Sequence, residues 1–315
     1  MPRLRHSVGL LPELMDNLNK EYYFRVAKFV FKIIIPANWN IERMLPSFET
    51  FLYKDDNVDD LLFVVDVSNI SKLSAIEQQM EFMLEDVNDM GHLMLYKSAN
   101  GYCLKVDFAQ IGKVHVMHAS KDFKDIKAYI DDSDQEMGES LNSMIRFAFS
   151  QAILSHNAIS MHASAVCKDG FGYLFMGKSG TGKSTHASLW WKYIEGTDLL
   201  NDDNPTMRIE DNGSVMVYGT PWSGKTACYK NRSAKVRGMV HLHQNIENRF
   251  VKLKGVDAFV TLLPSCLSIL SERDIHRKVC TVLEEIVNNS SVVIGDLNCL
   301  PNKDAAVLCF DNIKI

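Results

Sequence analysis

The chain has 315 residues, 46% apolar and 23% charged, with a formal net charge of −5; at about 150 residues per domain this predicts two domains or one large one. Mean hydropathy is −0.09, no apolar run reaches the ~18 residues of a membrane helix, and no basic block is present, so neither a membrane nor nucleic acid is expected as a partner. The apolar positions of the first residues are interrupted by Pro12, Glu13 and Asp16, unlike a secretory leader, and a cytoplasmic chain is expected.

Residues 1–135 read as a β-rich α+β N-terminal domain whose role the sequence does not indicate. Residues 29–35 and 61–67 are apolar, strand-sized runs. Between them, 55–60 has the D-x-N-x-D spacing of a calcium loop. Asp60 stands where such a loop needs Gly, so a solvated acidic turn is the reading. Alternation over 93–108 around Asn100-Gly101 predicts a hairpin with a type I′ turn, and 114–118 a further strand. The polar stretch 131–136 is the expected boundary.

Residues 136–315 form the second expected domain. Leu141, Met144, Ile145, Ala148 and Ala152 recur at helical spacing within 138–156. An apolar segment at 159–166, the tight-turn pair Asp169-Gly170 and a returning strand at 172–176 follow. After the loop discussed below, Ala187, Trp190, Trp191 and Ile194 predict one buried helical face. Helical spacing returns through Ile275, Val279, Leu283 and Ile286, and the segment after Pro301 has no readable pattern. Seven cysteines, without a C-x-x-C pair, suggest isolated thiols rather than a disulfide framework or zinc ribbon.

Residues 177–184, Gly-Lys-Ser-Gly-Thr-Gly-Lys-Ser, fit G-x-x-x-x-G-K-[ST]. Glycines let successive backbone N–H groups point inward, and the following helix N-terminus adds its dipole, so the loop can cradle phosphates. Gly177, Ser179, Gly180, Thr181, Gly182, Lys183, Ser184 and Thr185 are the expected nucleotide contacts. Lys183 would stand near the β- and γ-phosphates, and Ser184 would offer its hydroxyl to Mg²⁺. A second segment, 219–226, also fits the pattern, but Pro221 removes a donor and Trp222 crowds the loop. Nucleotide phosphates are therefore assigned to the first loop, with Lys225 expected to reach the same cleft as a second cation.

Asp202-Asp203 follows Leu199-Leu200-Asn201, nineteen and twenty residues after Lys183, a spacing at which the intervening helix allows a return to the neighbouring strand. Such a pair can divide the work, one carboxylate binding Mg²⁺ and the other accepting the proton of an attacking hydroxyl. His162 precedes the loop by one hairpin, where it could sit beside phosphates. His241-Leu242-His243 puts two imidazoles on one strand face, a metal pair for which no third ligand is evident.

His162-Ala-Ser-Ala-Val, the 177–184 loop, Asp202-Asp203 and Pro221-Trp222-Ser223-Gly224-Lys225 together resemble the catalytic domain of HPr kinase/phosphorylase. They are also similar to the nucleotide core of ATP-dependent phosphoenolpyruvate carboxykinase. The best likeness is to divergent bacterial HPr-kinase-like proteins, over residues 159–245. The resemblance implies an α/β (α+β) kinase core with its P-loop on a mixed sheet. It implies ATP and Mg²⁺ as cofactors, with Lys183 on the ATP phosphates and Ser184 serving Mg²⁺. Asp202 would be the proton acceptor, Asp203 would assist metal binding, and His162 would contact substrate or phosphate. Thr185 departs from the Glu usual in HPr kinases, and no match to their C-terminal signature segment is found. The expected function is an ATP-dependent kinase whose acceptor is a hydroxyl of a peptide, protein or small metabolite. The alternative is a catalytically silent nucleotide-binding regulatory protein. Nothing in the sequence fixes an oligomeric state.

Overall fold

The computed structural model describes residues 19–55, 58, 60–73, 80–88, 90–108, 112–224 and 226–314. The chain divides into two compact units. One takes residues 30–148 with the described residues before Arg25; the other takes Arg25–Phe29 and everything from Phe149 onward. The architecture is mixed α+β with two large mixed sheets. Among the described residues, no helix is long and apolar enough to cross a membrane.

The first sheet contains β1 (Lys20–Val26), β2 (Phe29–Ile35), β3 (Leu52–Tyr53), β4 (Val64–Asn69), β5 (Glu81–Asn88), β6 (Gly91–Ser98), β7 (Gly101–Asp107), β8 (His115–Ser120) and β9 (Asp125–Ile130). Their spatial order is β3-β1-β2-β4-β9-β8-β7-β6-β5, and a short helix α1 (Ile41–Met44) precedes β3. The run at 61–67 becomes a strand only from Val64. The hairpin around residue 100 forms, but Ser98 pairs with Gly101, so the two-residue turn is Ala99-Asn100. Gly101 is instead the first strand residue, where a Cβ would collide with the Ala119 carbonyl of β8. The glycine serves close approach between strands rather than a turn dihedral.

The polar stretch at 131–136 does not behave as a solvated linker. The Asp131 N–H donates to His115 Nδ1 (3.1 Å), which leaves Nε2–H to donate to Asp134 Oδ2 (2.8 Å), in a pair almost wholly removed from solvent. Burial opposes ionisation of Asp134, yet bonds from His115 and the Glu136 N–H hold its carboxyl below the ordinary range.

Helix α2 (Met137–Ala152) buries Leu141, Met144, Ile145, Ala148 and Ala152, as its spacing predicts. The second sheet follows: β10 (Ala158–Ser160), β11 (Ala163–Lys168), β12 (Phe171–Met176), β13 (Thr197–Asp203), β14 (Thr206–Ile209), β15 (Val215–Tyr218), β16 (Ser233–Gln244), β17 (Arg249–Leu253) and β18 (Val293–Cys299). The order is β10-β14-β15-β16-β12-β11-β13, with β18 on β16 and β17 on β18. The 159–166 segment is thus two strands, broken at Met161-His162. Asp169 and Gly170 both take positive φ, the dihedrals of a type I′ turn, between antiparallel β11 and β12.

Helix α3 (Lys183–Tyr193) packs on this sheet; α4 (Gly255–Leu262), α5 (Arg273–Val287) and α6 (Lys303–Ile313) come later. The segment after Pro301 is α6. Its Ala306, Cys309 and Ile313 share one core with Ala187 and Trp190 of α3 and with Tyr173, Phe175, Val240 and Leu242 of the strands. Trp191 is 67% exposed, contrary to the predicted stripe. The buried stripe runs through His186 instead, because the Trp190 indole N–H donates to His186 Nε2 (3.1 Å) one turn earlier. All seven cysteines are unpaired.

Burial pushes the His186 imidazole down to about 4 from its ordinary 6.5, so the folded chain holds it neutral. The unfolded chain binds the extra proton between those values, and stability therefore falls as pH drops from 6.5 toward 4. At about 1.4 kcal/mol per unit, the loss is roughly 3 kcal/mol. His186→Gln, which keeps an acceptor for Trp190, should remove that part of the pH dependence in urea-unfolding titrations of the two proteins.

Candidate functional site

The segment between β12 and α3 is shaped by Gly177, Gly180 and Gly182, all at positive φ (143°, 80° and 102°). Thr181 closes the turn, its N–H and its hydroxyl both donating to the Lys178 carbonyl (3.1 and 2.6 Å). Lys183 opens α3, and its Nζ reaches back to the Gly177 carbonyl at 3.2 Å, so its cation lies across the loop. Ser184 and Thr185 are exposed in the first helical turn, and Ser179 and Gly180 are exposed in the loop. The loop is held from the side by Gln244 at the end of β16, whose Nε2 donates to the Gly180 and Thr181 carbonyls (3.1 and 3.4 Å).

Register decides what stands beside the loop. Ala163 of β11 pairs with Met176, the last residue before Gly177, and on its other side with Asp203. Met176 also pairs with His241, and His241 with Asp296. Asp203, Ala163, Met176, His241 and Asp296 therefore form one row across the sheet at the level of the loop. The adjacent row contains Asp202, Ser164, Phe175 and Val240. Phe175 and Val240 belong to the core under α3, so alternation puts Asp202 on the α3 face and Asp203 on the opposite one.

The two carboxylates thus have different surroundings. Asp202 is only 3% exposed. Its Oδ1 and the Oγ of facing Ser164 are both buried without a hydrogen-bond partner among the described residues. Buried polar atoms ordinarily find partners, so these two mark a place for a cation, a water or a ligand. Asp203 faces His162, with His162 Nε2 3.5 Å from Asp203 Oδ1. His162 lies between β10 and β11, where its N–H donates to the Ser265 carbonyl (2.7 Å).

The second G-x-x-x-x-G-K-T segment runs along this acidic strand end. Ser223 bridges to Asp203, and the Gly224 N–H donates to the Asp202 carbonyl (2.6 Å). Trp222 does not crowd the loop; it is buried against Phe149, ring centroids 5.0 Å apart. Lys225 lies outside the described residues. The segment is held by Asn201, which the motif reading passed over. Its Nδ2 donates to the Thr220 and Trp222 carbonyls (3.4 and 3.0 Å), and its Oδ1 accepts from the N–H groups of Asp203 and Asn204 (3.2 and 2.8 Å). The only sequence signal was its place directly before the acidic pair.

The His241–His243 pair gains a third neighbour, Asp296, which β18 brings alongside. Burial lowers the His241 pKa and the His243 ring adds to the effect; the Asp296 carboxylate opposes it, and the Lys183 cation lowers it a little further. Fifty-odd residues separate the histidines from Asp296, and no spacing rule links them.

No family model matches the chain, and no curated protein matches it. Among solved structures, the HPr(Ser) kinase/phosphatase from Coxiella burnetii is similar to part of it. The two are 12% identical over 47% of this chain and 84% of that one, with a TM-score of 0.27, a level that does not establish a shared fold.

Proposed function

We propose that this protein is a cytoplasmic ATP-dependent kinase that transfers the γ-phosphate of Mg-ATP to a hydroxyl of a peptide, protein or small metabolite. The observation that carries the reading is the shared register of Ala163. It sets the glycine loop and its lysine beside the Asp202-Asp203 strand end. Binding phosphate needs the loop and Lys183; activating an acceptor also needs a carboxylate, and this site has two.

The residues fit the nucleotide and its metal. Gly180 is open, with nothing near the position of a Cβ, so a phosphate can approach the backbone, and Asp202 Oδ1 is a buried acceptor in want of a partner. Mg-ATP, when bound, supplies the electrophilic phosphorus. The backbone N–H groups of the loop and the N-terminus of α3 orient phosphate oxygens, with Lys183 released from the Gly177 carbonyl to neutralise them. Ser184 and Asp203 would hold Mg²⁺. Asp202 takes the proton of the acceptor hydroxyl, and His162, set by Asp203, steers substrate or phosphate. Lys225 would supply the second cation. The burial of Asp202 favours a second reading, a nucleotide-binding regulatory protein without transfer, because a base must reach its acceptor.

Three substitutions test these assignments. Lys183→Ala should weaken Mg-ATP binding about 10–100-fold in calorimetry, the size of a lost charge-assisted bond; equal affinity in both proteins would remove the loop from the site. Asp203→Asn should raise the Mg²⁺ concentration needed for half-maximal activity, and an unchanged titration would free this residue from the metal. Asp202→Asn should bind Mg-ATP as wild type does yet transfer phosphate about 10²–10⁴-fold more slowly. The assay is γ-labelled ATP against serine peptides, amino acids and polyols. Labelling of no acceptor by wild type, with ATP bound, would favour the regulatory reading; equal transfer by Asp202→Asn would move the base to His162.

A further inference from the structure

A second constellation lies on the same sheet, and the kinase reading does not use it. His241 and His243 are two residues apart on β16, so both rings project from one face. Asp296 is the direct partner of His241 on parallel β18 and shares that face. Three donor atoms converge: His241 Nδ1 and His243 Nε2 are 3.0 Å apart, and Asp296 Oδ1 is 3.7 Å from the first and 3.4 Å from the second.

A tetrahedral zinc ion has ligands at about 2.0–2.1 Å, which puts neighbouring donors about 3.3 Å apart. The three observed separations bracket that edge. We propose that His241, His243 and Asp296 bind a divalent first-row transition metal, zinc being the ion that suits the site best. Two imidazoles and one carboxylate are a nitrogen-rich set that Mg²⁺ does not favour and Zn²⁺ or Co²⁺ does. The protein supplies three ligands and leaves a fourth position for water or an anionic oxygen, the pattern of an open rather than a structural zinc site. Access exists, since the side chains of His243 and Asp296 are 45% and 33% exposed.

The strand positions the ligands and also ties them to the loop. Gln244, next after His243, holds the Gly180 and Thr181 carbonyls. An ion here would fix the end of β16, and with it one side of the loop. This site does not depend on the nucleotide assignment, because its ligands are distinct from Ser184 and Asp203 and its occupancy is read without any turnover.

The test uses the full chain, stripped with a chelator and titrated with Zn²⁺ against a chromogenic competitor in excess Mg²⁺. Wild type should take up one Zn²⁺ per chain. His243→Ala and Asp296→Asn should each weaken uptake by at least tenfold. Co²⁺ should give wild type the intense visible bands of a tetrahedral ion, and both variants should lose them. Circular dichroism and melting temperature check the fold of each variant; both side chains are partly exposed, and if one variant unfolds the other decides. Equal Zn²⁺ affinity in wild type and a folded variant, no Zn²⁺ uptake in excess Mg²⁺, a weak octahedral Co²⁺ spectrum, or the near-ultraviolet bands of a cobalt–thiolate bond would each overturn the proposal.

Discussion

The hydrogen-bond ladder through Ala163 is the constraint on which the site rests. That residue pairs antiparallel with Met176 on one side and Asp203 on the other, while Met176 pairs in parallel with His241. Side chains alternate with a period of two, so a slip of one residue between β11 and β13 would exchange the faces of Asp202 and Asp203. The slip would expose one buried carboxylate and bury the other. The same ladder extends through β16 to β18, and both candidate sites therefore sit at one level of one sheet.

Keeping the loop on that row is a packing problem. Trp190, fully buried between Tyr173, Phe175 and Phe310, anchors α3 to the strands at its back. Its indole N–H would be a costly orphan there without the His186 acceptor. About two helical turns ahead of Trp190, the backbone of the loop is free to be polar. The apolar end of α3 thus stabilises the geometry of its polar end. Asn201 plays the corresponding part for the acidic strand end. It meets four backbone groups and so fixes 220–222 against the Asp pair without a regular ladder.

Asp202 and Ser164 each keep a buried oxygen without a hydrogen-bond partner among the described residues. Their orphaned oxygens would be a net cost in a site with no ligand. The His115–Asp134 pair in the other unit meets burial differently, with both imidazole nitrogens and both carboxylate oxygens satisfied internally. A closed pair contributes to stability, whereas an open one is available to something outside the chain.

Local chemistry was legible in the sequence wherever it depended on neighbours along the chain. The loop between a strand and a helix, the Asp169-Gly170 turn, the buried stripe of α2 and the isolated thiols all follow from dihedral preference, helical period or composition. Readings failed where packing and pairing, rather than residue type or spacing, had the deciding vote. Gly101 answers to the Ala119 carbonyl rather than to its own turn, and Trp191 lost its place in the core to His186. The segment after Pro301 became a helix through the core it shares with α3. The opposite faces of Asp202 and Asp203, and the arrival of Asp296 beside two histidines, are matters of register. Register is set by hydrogen bonds between strands far apart in sequence, and those bonds exist only once the sheet has formed.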